Sequence, residues 1–167
     1  MKLETPVSRG LRSSAEYPPL RLKKILVPVD FSVASKNAFR HALRFAEDFG
    51  SDLTVLYVLA PAPAFARSPA GPGFAERDLL SAEKNLRALI TSAQNRGIEQ
   101  AGFSVRIGVP SHEIVEFAKD ADADLIVIAT HGYTGWKHFC IGSTAERVVR
   151  AAPCPVLVVR EKEHELV

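Results

Sequence analysis

Cysteine, methionine and tryptophan are scarce in this chain of 167 residues, which holds two, one and one of them. Cys140 and Cys154 lie too far apart for a Cys-x2-Cys redox or metal pair, and both read as reduced, structural residues. Long apolar runs are missing as well: none reaches the ~20 residues that span a bilayer. The N-terminal residues lack the uninterrupted apolar core of a signal peptide. A cytoplasmic protein without membrane contact is therefore expected. No charge of one sign dominates: Lys and Arg total 21 against 19 Asp and Glu, a formal net charge of +2. The basic residues are dispersed, and the loose cluster Arg9, Arg12, Arg21, Lys23 and Lys24 reads as a solvated tail, so nucleic acid is not an expected partner. Neither the Walker pattern nor the three-glycine dinucleotide fingerprint occurs, and no hairpin signal separates the apolar runs.

What is present describes an ordinary globular domain. Hydrophobic residues make up 47% of the chain and charged ones 24%, enough for one domain with a real core. Residues 1–21 mix Lys, Glu, Ser, Arg and Pro without an apolar period and are expected to form a flexible extension; 22–160 form the domain, and 161–167 a charged tail.

Within the domain, continuous apolar runs alternate with amphipathic ones. Ile25 to Val29 reads as a strand buried on both faces. Ser32 is placed to cap a helix carrying Ala34, Ala38, Ala42, Phe45, Ala46 and Phe49 on one side, which Gly50 ends. Leu53 to Leu59 is a second strand. It enters a Pro/Ala/Gly-rich segment over 60–73, too long for an ordinary connection and read as a mobile cover. Leu79, Ala82, Leu86, Leu89, Ile90 and Ala93 mark a second helix stopped near Gly97. Phe103, Val105 and Ile107 alternate with Ser104 and Arg106, as in a half-exposed edge strand. A short helix follows Gly108-Val109-Pro110-Ser111, with Ile114, Val115, Phe117 and Ala118 on it. Five strands separated by four helices require right-handed crossovers and imply a parallel α/β sheet covered by helices on both faces.

The stretch most informative about chemistry spans 124–144. Leu125 to Ala129 reads as a central strand; a loop with Gly132 and Gly135 follows, and Gly142-Ser143-Thr144 opens a helix. Ser143 and Glu146 have capping-box spacing, which places the helix start at Ser143. A strand turning through glycines into a helix N-terminus gathers free amides and the positive end of a helix dipole, the makings of a phosphate site. A plain turn uses the same glycines.

The residues themselves favour the phosphate reading. Ala129-x2-Gly132-x9-Gly142-Ser143, followed by Glu146-Arg147-Val148 and by Pro153-Cys154-Pro155-Val156-Leu157-Val158-Val159, resembles the universal stress protein family. The family's nucleotide-binding branch carries Gly-x2-Gly-x9-Gly-Ser/Thr at this junction, and Ala129 is the one departure. Lys24 to Ser32 and Leu53 to Val58 resemble its first two strands, so the likeness covers 22–160. It implies a Rossmann-like sheet in the order 3-2-1-4-5, with strands 1 and 4 adjacent and a ligand crevice at their carboxyl ends.

The resemblance also implies bound ATP, with Mg²⁺. Pro28, Val29, Asp30 and Val58 would meet the adenine, with Asp30 and Val58 matching family contacts. Ile128, Ala129, Thr130, His131, Gly132, Gly142, Ser143 and Thr144 would complete the site, the amides from Gly132 and Gly142 onward facing the phosphates. The alternative for Asp30 is a mere turn residue before the helix. Lys137 and His138 read as phosphate partners or as solvated loop residues. His131 has no nucleophile or metal set beside it, so no dedicated catalytic residue is assigned and at most slow ATP hydrolysis is expected.

The expected function is a nucleotide-responsive regulator of the stress response, a homodimer through the last strand, Val156–Val159, whose apolar edge needs cover. The alternative is a nucleotide-free dimeric interaction module of the same fold, motivated by Ala129. A receiver-like phosphoacceptor would need an acidic pair beside the first strand, and only Asp30 is there.

Overall fold

Short β-branched runs form the centre of the molecule because only they can be apolar on both faces at once. A computed structural model describes residues 20–61, 73–130 and 142–160. The chain runs β1 (Lys24–Val29), α1 (Val33–Phe49), β2 (Asp52–Leu59), α2 (Gly73–Gln94), β3 (Ala101–Ile107), α3 (Pro110–Asp120), β4 (Leu125–Ala129), α4 (Ser143–Ala151) and β5 (Val156–Val159). The five strands make one sheet in the order β3-β2-β1-β4-β5, with every pairing parallel. The expectations for the extension, the 60–73 cover, the loop with Gly132 and the charged tail fall wholly or largely on 1–19, 62–72, 131–141 and 161–167, outside the described residues.

Alternation along each strand divides the core between the sheet's faces. Ile25, Val27 and Val29 pack with α1 and with Leu86, Ile90 and Ala93 of α2. Leu26, Leu56, Ile126 and Ile128 pack with Ile114, Val115 and Ala118 of α3 and with Ala145 and Val148 of α4. All five residues of β4 are buried. Each fully buried Leu or Ile in such a layer stabilises by about 1.5–3 kcal/mol. Half of the eight buried residues of α1 are alanine (Ala34, Ala38, Ala42, Ala46), one above the other on the face toward the sheet.

Local chemistry sets most of the boundaries. The Ser32 Oγ accepts from the Ser35 amide at 3.1 Å and starts α1; Gly50, at φ 64° and ψ 42°, ends it in a left-handed conformation that a side chain disfavours. Pro110 opens α3 in the first turn, where its missing N–H costs nothing. Two expectations need correction. Phe49 is 41% exposed and covers itself by stacking on Phe45, ring centroids 6.2 Å apart, instead of joining the buried face of the helix. Ser143 is not the cap of α4: Gly142 holds that position with extended backbone, no side chain caps the helix, and Glu146 pairs with Arg150 at 2.9 Å instead of reaching back.

One pairing limit shapes what lies above the sheet. β1 pairs with β2 along its whole length, Lys24↔Asp52 through Val29↔Tyr57, but with β4 only at Ile25↔Leu125 and Leu26↔Ile126. Pro28 has no N–H to give to a ladder, and β1 and β4 part before reaching it. Meanwhile β4 stays paired with β5 to Ala129↔Val159.

At the opposite end, the Asp124 Oδ2 accepts from the Lys23 and Lys24 amides at 2.7 and 2.9 Å, and the Asp124 amide donates to the Lys24 carbonyl at 2.9 Å. This clamp sets the register of β1 against β4. On the α3 and α4 side, burial pushes the Cys154 thiol above its ordinary value, and the charge of Asp124 adds to the shift.

Removing the clamp tests its weight. Asp124→Ala removes the acceptor of two backbone donors that water can reach and is expected to lower stability by about 0.5–1.5 kcal/mol. The midpoint of urea unfolding, at unchanged slope, reads this directly; a midpoint equal to wild type would mean that water replaces the carboxylate without loss.

Candidate functional site

A cleft of about 240 Å³ opens where β1 and β4 part, slightly below the ~300–1,000 Å³ of typical small-molecule sites. It lies on the α3 and α4 side of the sheet, at the carboxyl ends of the strands, the place where an open α/β sheet binds ligands. Pro28, Leu56, Val58, Pro110, Ile114 and Ile128 give it apolar walls; Asp30, Ser35, Thr130, Ser143 and Thr144 bring polar groups to the same space.

The turn after β1 forms one rim. The Asp30 Oδ1 accepts from the Ser32 amide at 3.0 Å, and the Asp30 amide donates to the Ser35 Oγ at 3.3 Å. Between these bonds Phe31 sits at φ 64°, a left-handed conformation that is uncommon for a bulky residue. Its ring rests on Tyr57, centroids 5.0 Å apart, on the far face of the sheet. Asp30 is thus a turn residue, as one reading of the sequence had it, and also a wall of the cleft.

The helix side forms the other rim. The Gly142 amide donates to the Thr130 carbonyl at 2.7 Å, so the residues flanking 131–141 meet at the cleft. The Thr130 amide donates in turn to the Val159 carbonyl at 2.9 Å, tying this rim to β5. The bond from the Glu146 amide to the Gly142 carbonyl at 3.0 Å opens α4. The amides of Ser143, Thr144 and Ala145 therefore lie at the open, positive end of the helix, at the edge of the cleft. With Gly142 as the cap, the Ser143 hydroxyl has no capping duty.

Ten of the twelve residues singled out in the sequence line this one cleft: Pro28, Val29, Asp30, Val58, Ile128, Ala129, Thr130, Gly142, Ser143 and Thr144. His131 and Gly132 lie outside the described residues, as do Lys137 and His138. Sequence reasoning passed over Ser35, Leu56, Pro110, Ile114 and Ala145. Leu56 could have been found from Val58, since residues two apart share a strand face. Pro110 and Ile114, four apart on a helix that crosses from β3 to β4, follow once the crossover is drawn. Among the described residues, no group of three or more His, Cys, Asp or Glu could hold a metal ion, and no helix is long and apolar enough to cross a membrane.

Ala129 ends β4, paired with Val159, 8% exposed, and outside the left-handed region that only Phe31 and Asp122 enter among the non-glycine residues described. Alanine therefore fits this strand position without strain.

Comparison with known proteins gives a consistent result. The sequence model of the universal stress protein family matches residues 21–160. A universal stress protein of Methanocaldococcus jannaschii is 37% identical over 145 residues, covering 86% of this chain and 85% of the relative. The solved universal stress protein of Lactobacillus plantarum superposes with a TM-score of 0.76 at 32% identity, covering 84% of this chain and 99% of that one. That of Archaeoglobus fulgidus, solved in complex with dAMP, superposes with a TM-score of 0.58 at 25% identity, covering 84% and 99%.

The strand position of Ala129 yields a test. Ala129→Gly should lower stability by about 0.5–1 kcal/mol, the usual cost of glycine within an element, measured as a shift in the chemical unfolding midpoint. A stabilised variant would show that the alanine methyl is strained here.

Proposed function

This chain belongs to the universal stress protein family, and from that premise we propose that it is an ATP-binding member, a cytoplasmic, nucleotide-responsive regulator of the stress response rather than a dedicated enzyme. The observation that carries the reading is the composition of the cleft: an apolar slot at the parted ends of β1 and β4, continuous with the open end of α4.

A purine ring needs a flat apolar slot and one or two hydrogen bonds at its edge. Pro28, Val29, Val58, Ile114 and Ile128 supply the slot, and the Asp30 turn supplies the edge. Phosphates need amides and a positive dipole, which the first turn of α4 supplies through Gly142, Ser143 and Thr144. Each helix-end interaction contributes only about 0.3–2 kcal/mol, so several must combine, with Gly132 and a Mg²⁺ carried largely by the phosphates themselves. The dAMP complex of the Archaeoglobus fulgidus relative supports an adenine nucleotide as the ligand class. The nucleotide-free alternative draws its motive from Ala129, and the unstrained fit of that residue weakens it.

A homodimer through β5 belongs to the same proposal. β5 is the last strand of the sheet, and Val156, Leu157 and Val158 are only half-buried. A short apolar edge of this kind is commonly paired or covered.

Three measurements test these readings. Heat denaturation of purified protein, followed by anion-exchange chromatography of the supernatant, should release an adenine nucleotide, and calorimetric titration of stripped protein with Mg-ATP should give micromolar binding. Gly142→Val should reduce that binding at least tenfold while the circular dichroism spectrum stays native; wild-type affinity in this variant would put the phosphates elsewhere. Separately, Val158→Lys should halve the mass seen by light scattering, and an unchanged dimer mass would reject β5 as the interface.

A further inference from the structure

Ser35 carries a hydroxyl that α1 does not need. The helix is already capped by Ser32, whose Oγ accepts the Ser35 amide at 3.1 Å and whose carbonyl accepts the Lys36 amide at 3.0 Å. By helix propensity alone, alanine would serve better at this position. Yet Ser35 is 3% exposed, and its Oγ has two hydrogen bonds: it accepts from the Asp30 amide at 3.3 Å and donates to the Ser32 carbonyl at 3.2 Å. It also lines the cleft. A buried hydroxyl satisfied in both directions ties together the two residues that flank Phe31.

Phe31 is the reason such a tie matters. A bulky residue in the left-handed region persists only when its surroundings over-determine it. The bond from the Ser32 amide to the Asp30 Oδ1 fixes the turn from one side, and the Ser35 hydroxyl fixes it from the other. Without the hydroxyl the turn loses the bond to the Asp30 amide and holds Phe31 and the Asp30 carboxylate less tightly.

We propose that Ser35 is a positioning residue of this site, whose hydroxyl holds the Pro28-Val29-Asp30 turn in the conformation that meets the base of the nucleotide; the role rests on the adenine-nucleotide reading above. Ser35 acts through Asp30, on the base end and not on the phosphates. Its removal therefore weakens ligands with and without phosphates by the same factor, unlike a change at the open end of α4.

The test compares adenosine with Mg-ATP by calorimetry in wild type, Ser35→Ala, Ser35→Thr and Gly142→Val. Ser35→Ala is expected to lose about tenfold in affinity for both ligands, Ser35→Thr to recover most of it, and Gly142→Val to lose ATP while keeping adenosine. In amide NMR spectra of the ligand-free protein, the Asp30 and Phe31 resonances should move in Ser35→Ala and return in Ser35→Thr. Ser35→Cys, which keeps the volume and weakens the hydrogen bonds, makes the same comparison if Ser35→Ala does not fold. Wild-type affinity for adenosine in the folded Ala or Cys variant, with only a lower unfolding midpoint, would overturn the positioning role and leave the nucleotide reading standing. Wild-type protein that binds neither ligand would overturn both.

Discussion

The parting of β1 and β4 beyond Leu26 and Ile126 is the constraint on which the rest of the site depends. Had the two central strands stayed paired to their ends, their backbones would have closed over the space that the cleft occupies. Pro28 cannot donate to a ladder, and the strand-order reversal sends the crossovers from β1 and β4 in opposite directions. Together they leave a gap whose floor is apolar and whose rims are a turn and a helix end. The Asp124 clamp anchors the same two strands at their amino ends, so they are held together there and part toward their carboxyl ends.

What surrounds the gap follows from which residues can be buried without cost. The α3 and α4 face supplies Leu56, Ile114 and Ile128, which make the cleft apolar, while the α1 and α2 face carries Phe31 and Tyr57 beneath the turn. The left-handed Phe31 lies between a site that needs Asp30 in place and an aromatic contact on the opposite layer. Strain stored at such a position is tolerable because hydrogen bonds on either side and ring packing below hold it together. The buried Asn37 adds a further brace, donating to the Arg160 carbonyl at 3.2 Å and so joining α1 to the end of β5.

Much of this was legible in the chain. Strands appeared as short β-branched runs and helices as 3.6-residue stripes, since burial on two faces or on one leaves different marks. Ser32 and Gly50 could be read as caps because their roles depend on nearest neighbours. The start of α4 at Ser143 could be read as well, but not its cap. Ser143 and Glu146 have the spacing of a capping box, yet the Glu146 amide donates to the Gly142 carbonyl and the Glu146 carboxylate pairs with Arg150, so Gly142 is the cap. Spacing reports what a pair of residues can do; the other partners within their reach decide whether they do it.

By itself the sequence determined the element types, the division of apolar residues between two faces, and the strand-to-helix junction that brings amides to one point. All of these rest on interactions within a few residues, which periodicity records. Tertiary structure alone decided that Ser35 meets the Asp30 amide, that Pro110 and Ile114 wall the slot, and that β1 separates from β4 beyond Leu26. Those contacts join segments brought together by crossovers and sheet pairing, and no local pattern states which strand will lie beside which or how far along their pairing will run.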